Sequence, residues 1–96
     1  MSAPFILPEV DSPKSNTGDR WKVTIYNDDH IFRDDVFNAL IQATGCDAQE
    51  ADIEIWEAEK YGKAPVHFAE RGECESAAWI IGRIGVKTEV SLEWED

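Results

Sequence analysis

The hydrophobic period of this chain switches from two residues to about 3.6 at a single polar corner, Asn27-Asp28-Asp29. Before the corner, Trp21, Val23 and Ile25 alternate with Lys22, Thr24 and Tyr26, which predicts a half-buried strand. The corner ends that strand, because short amide and carboxylate side chains hydrogen-bond their own backbone in turns. Three helical stretches follow, each stopped by a glycine. The first is predicted from Arg33 to Thr44, with Val36, Phe37, Leu40 and Ile41 inward, acids Asp34 and Asp35 in its first turn, and Gly45 as the stop. The second is predicted from Ala48 to Tyr61. Ala51, Ile55 and Ala58 form its inner stripe, Asp47-Ala48-Gln49-Glu50 has the form of a capping box, and Gly62 stops it. The third is predicted from Glu73 to Ile84, with Cys74, Ala77, Ile80, Ile81 and Ile84 inward and Gly85 beyond it.

Two further strands complete the pattern, Pro65 to Ala69 and Thr88 to Glu95, the latter with Val90, Leu92 and Trp94 on one face. The order β-α-α-β-α-β predicts an α+β, two-layer domain: a three-stranded antiparallel sheet packed on three helices. Ninety-six residues leave room for one such core, placed at residues 21–96. Residues 1–20 hold three of the four prolines and read as a flexible tail whose one apolar run is Phe5-Ile6-Leu7.

Charge narrows the function. The formal net charge is −11, and ten acids face only Arg33 and Lys60 between residues 27 and 60. Nucleic acid and anionic membrane surfaces need the opposite sign, so neither is an expected partner. No apolar run reaches membrane-spanning length. The two histidines, His30 and His67, sit in no metal-ligand spacing, no glycine-rich phosphate loop follows a strand, and no base accompanies Cys46 or Cys74. The expectation is a non-enzyme without cofactor, carrying free thiols in a reducing, cytoplasmic setting. A small enzyme built on clustered carboxylates ranks below it.

Three features carry chemistry. At the corner, Asn27 and Asp29 can form a polar cradle that accepts hydrogen bonds from an ammonium group; a turn with a capping acid is the plainer reading. Glu59 lies at the edge of the second helix's apolar stripe, in line with Asp52 and Ile55. Glu50, Glu54 and Glu57 are spaced to share one helix face, where like charges cost an isolated helix about 0.2–0.5 kcal/mol per pair. That face reads as solvated surface, or as a dock for a basic partner.

Taken together, Trp21-Lys22-Val23-Thr24-Ile25-Tyr26-Asn27-Asp28-Asp29 is similar to the WKVxLxNDD signature of the ClpS family of Clp-protease adaptors. The similarity runs through Val36, Leu40 and Glu50-Ala51 to Tyr61-Gly62-Lys63-Ala64. Glu75 then stands at an acidic AET-like motif, and Val90-Ser91-Leu92-Glu93 resembles the family's last strand. The resemblance implies an adaptor that binds substrate N-termini led by a bulky apolar residue (N-degrons) and delivers them to a Clp-type AAA+ unfoldase and protease. It implies that Asn27 and Asp29 hold the α-amine, that Val36, Ile55 and Ala58 wall the side-chain pocket, and that Glu75 meets the unfoldase.

Several positions depart from the family pattern. Glu59 stands where the family has a histidine, and Arg33 where it has an apolar gatekeeper, usually Met. Ile31-Phe32 replaces Thr-Pro, Val66-His67-Phe68 replaces a CGV-type strand, and Ala77 replaces a lysine. Glu59 adds a second carboxylate for an ammonium, and Arg33 is expected to pair with Glu59 or Asp29 across the pocket mouth. The alternative is a protein-interaction module on the same fold whose N-terminal-residue pocket is lost or altered.

Overall fold

β1 (Trp21–Tyr26) is the central strand of the sheet, whose order is β2-β1-β3, and Val23, Thr24 and Ile25 are all buried there. The computed structural model describes residues 20–94. All but Arg20 of the expected tail, with Phe5-Ile6-Leu7, lies outside the described residues, as do Glu95 and Asp96. The elements follow as α1 (Arg33–Thr44), α2 (Ala48–Tyr61), β2 (Lys63–Ala69), α3 (Arg71–Gly82) and β3 (Thr88–Leu92). Both neighbours of β1 run antiparallel to it, and three helices pack on the sheet, as the hydrophobic periods predict.

Local chemistry explains the boundaries of α1 and α2, which fall where expected. Asp47 caps α2, its Oδ1 accepting from the Glu50 backbone N–H at 2.8 Å. Gly45 and Gly62 end the two helices in the left-handed region, at φ 76° and 90°. By contrast α1 begins after Phe32 without a side-chain cap, so the acids of the corner do not serve that helix.

Two elements differ from their predicted extent. The third helix starts and ends two residues earlier, at Arg71 and Gly82. Its end winds on through 3₁₀-type bonds, Ile84 N–H to the Ile81 carbonyl and Gly85 N–H to the Gly82 carbonyl, before Gly85 turns the chain at φ 101°. The last strand stops at Leu92, and Trp94 is 77% exposed instead of facing inward with Val90. Glu93 there donates its backbone N–H to the Arg20 carbonyl.

The core gathers Val23 and Ile25 from β1, Leu40 from α1, Ala51, Ile55 and Ala58 from α2, and Cys74, Ala77 and Ile81 from α3. Burying a side chain such as Leu40 or Ile81 contributes about 1.5–3 kcal/mol each. A bulge lies opposite Val23 and Thr24, which pair with His67 and Pro65; Val66 is the extra residue and is buried.

The acidic stripe of α2 is solvated only in part. Glu54 is only 8% exposed, and its Oε1 has no hydrogen-bond partner. The helix leans this flank toward β2, so the position between Ala51 and Ala58 is covered while Glu50 stays in solvent. Burial, with the charges of Glu50 and Glu57 adding to it, pushes the Glu54 carboxyl up to about 8.

Candidate functional site

The end of β1 is pinned from both sides. Tyr26 donates its backbone N–H to the Lys87 carbonyl at 3.0 Å, and Asn27 donates to the Gly62 carbonyl at 2.9 Å. The second bond joins the polar corner to the glycine that ends α2, so two segments far apart in sequence form one rigid junction. Beyond it the chain turns tightly. Asp28 Oδ1 accepts from the His30 backbone N–H at 2.8 Å, and Ile31 N–H reaches the Asp28 carbonyl. The same bond from the His30 backbone, helped by the His30 ring 3.2 Å away, holds the Asp28 carboxyl below its ordinary value.

Against this junction, between α1 and α2, lies a cavity of about 180 Å³. Its apolar lining is Ile25, Ile31, Val36, Ile55, Ala58 and Val86; its polar lining is Tyr26, Asn27, Asp28, Asp29, Arg33 and Glu59. The seven expected ligand-binding residues, Asn27, Asp29, Arg33, Val36, Ile55, Ala58 and Glu59, therefore converge on one pocket. Sequence reasoning missed Ile25, Tyr26, Asp28, Ile31 and Val86 as lining. Gly85 turns the chain against this wall, where a Cβ would stand 3.1 Å from Ile31 Cδ1. Glu75 lies apart on α3, where it accepts from Arg71 Nε at 3.0 Å.

Side-chain contacts define the rim. Asn27 Nδ2 donates to Asp29 Oδ1 at 3.2 Å, which turns the Asn27 carbonyl oxygen away as a free acceptor. Arg33 does not pair with Asp29. Its Nη1 donates to Asp52 Oδ1 at 3.2 Å, and its Nε stands 3.9 Å from Glu59 Oε2. Asp52 faces outward on α2, so the guanidinium is drawn along the helix and not straight across the pocket. All three groups are near half-exposed, at 47% for Arg33, 50% for Glu59 and 55% for Asp52. Water therefore screens the pairs, and each is worth at most about 1 kcal/mol.

What the arrangement can do is bind. A cavity lined both by apolar side chains and by carboxylate and amide groups suits a ligand that joins an apolar group to a cation. Among the described residues, no group of three His, Cys, Asp or Glu side chains is placed to hold a metal ion, and no helix is long and apolar enough to cross a membrane. Cys46 and Cys74 are free thiols, and burial raises both above the ordinary thiol value.

Comparison with known proteins agrees with the fold. The chain resembles a solved structure, that of Agrobacterium tumefaciens ClpS2 bound to L-phenylalaninamide, with a TM-score of 0.73 and 22% identity over 79% of this chain and 99% of that one. At that identity the likeness speaks for the fold. No curated protein matches the sequence. The family described as ATP-dependent Clp protease adaptor protein ClpS matches residues 16–93, beginning inside the segment expected to be tail. The chain belongs to the ClpS family of Clp protease adaptors.

Proposed function

We propose that this adaptor binds the free α-amine of peptides led by an apolar residue and delivers them to a Clp-type AAA+ unfoldase. The observation that carries the reading is that Asn27, Asp29 and Glu59 line the same cavity as Val36, Ile55 and Ala58. An α-ammonium has three donors, and the free Asn27 carbonyl oxygen, the Asp29 carboxylate and Glu59 offer three acceptors. Glu59 takes the place of a histidine by adding charge where the histidine would share a hydrogen bond. The about 180 Å³ behind the rim accommodates one aliphatic or aromatic side chain. The Agrobacterium relative was solved with an amino-acid amide that joins these two groups, a free amine and an apolar side chain. Glu75, exposed on α3 and remote from the pocket, is the position offered to the unfoldase.

A peptide array varying the first residue, with and without N-acetylation, tests this. Free Leu- or Phe-led peptides should bind and their acetylated forms should not. Equal binding of both would remove the amine-holding role. The specific observation behind a second reading, a module with an altered pocket, is Arg33 at the gatekeeper position. Under that reading, peptide binding would emerge only after Arg33→Met and Glu59→His.

A further inference from the structure

Arg33 belongs to two concavities at once. It lines the pocket, and with Asp52, Ile53 and Trp56 it lines an open groove on the outer side of α2. Asp52 lines only the groove. Its Oδ1 takes Nη1, the far end of the guanidinium, at 3.2 Å, while Nε stays 3.9 Å from Glu59 at the pocket's edge. The side chain is thus stretched over the lip, with its charged head directed outward and its methylene stem left beside the hollow. An arginine stem is apolar and packs like any alkyl chain when its head is satisfied elsewhere.

We propose that Asp52 is a positioning residue for peptide recognition. By holding the Arg33 head group over the outer groove, it keeps the pocket open and lets the Arg33 stem act as the apolar gatekeeper. This rests on the amine-binding reading above. Without Asp52, the carboxylate left within 4 Å of the guanidinium among the described residues is Glu59, which lines the pocket. The head would then swing inward, fill space meant for a first side chain, and neutralise a carboxylate meant for the α-amine.

Exposed ion pairs are weak, so the effect should be severalfold and confined to this contact. Binding of a fluorescent Leu-led peptide is measured for the full chain and for Asp52→Asn, Asp52→Glu, Arg33→Met and the double variant Arg33→Met/Asp52→Asn. Asp52→Asn should weaken binding about three- to fivefold, and Asp52→Glu should bind like the parent. In the Arg33→Met background the Asp52→Asn change should matter less than about twofold, because the residue it acts through is gone. Equal losses in both backgrounds, or no loss in either, would overturn the proposal. The Arg33 Nε–Hε NMR resonance, assigned by its absence in Arg33→Met, reads the side chain without peptide. It should shift and exchange faster in Asp52→Asn; an unchanged resonance also overturns the proposal. A parent chain that binds free and acetylated peptides alike removes the amine-binding reading, and with it the role given to Asp52 in recognition, even where the resonance moves.

Discussion

Glu54 and Glu59 stand five residues apart on α2 and meet opposite surroundings. Glu59 is half-exposed beside Arg33 and opens onto a cavity. Glu54 is buried beside like charges, with one oxygen unpartnered. The difference teaches that the acidity of this helix is two things at once. At its C-terminal end, carboxylate is accessible and balanced, as a site for an ammonium requires. One and a half turns earlier, carboxylate is a burden on the fold.

The largest effect should come from breaking the buried side of that contrast. The Glu54 carboxyl titrates near 8 in the folded protein and near 4.5 when unfolded. Between these values the folded state holds a proton that the unfolded state has lost. The Glu54 contribution to stability is therefore fullest below about 4.5, falls as pH rises, and levels off above about 8, with a slope of about 1.4 kcal/mol per pH unit between them. Thermal melts across pH 5 to 9 should show the decline. Glu54→Met should flatten it and be more stable throughout, because no buried polar group remains unpaired. A parent and variant with parallel pH profiles would contradict the burial.

The exposed side is sharpened through Asp29. Asp29→Asn keeps the shape but removes a charge-assisted acceptor, worth about 1.5–3 kcal/mol, and should weaken a free-amine peptide tenfold or more. Titration calorimetry would read it, and the melting temperature should hardly move. A middle case joins stability to binding. Gly45→Ala and Gly85→Ala both put a Cβ on left-handed backbone, at about 1 kcal/mol each. Only the second presses on Ile31 in the pocket wall, so only it should alter peptide affinity. Smallest of all, Glu75→Gln breaks an exposed pair with Arg71 and should change stability by less than about 0.5 kcal/mol. Any loss of unfoldase binding in that variant would then report the partner contact.

The fold was legible in the sequence because periodicity and glycine stops act locally. Both ends of α1 and α2 follow from Asp47, Gly45, Gly62 and the apolar spacing. The last strand and helix were less so: the chain leaves α3 through two 3₁₀-type bonds that no stop residue announces, and the period that carried Trp94 inward outruns its strand. At the site, the corner residues and pocket walls could be read, since they carry a signature. Asp52 could not, because its meaning comes from a partner on another helix. Glu54 was misread for a related reason. Spacing tells which residues share a face, but only packing against β2 tells which edge of that face is covered.

The bulge in β2 has a consequence for how the sheet meets other extended chains. β2 is an outer strand, and outer strands offer free N–H and C=O groups to any extended segment nearby. Here Pro65 has no N–H to offer, and the extra residue at Val66 breaks the ladder beside it. The opposite rim, β3, is five residues long and includes the charged Glu89. Neither rim is a good template for an added strand, so under the proposed function a bound peptide would not be drawn into the adaptor's own sheet and would stay free to be passed on.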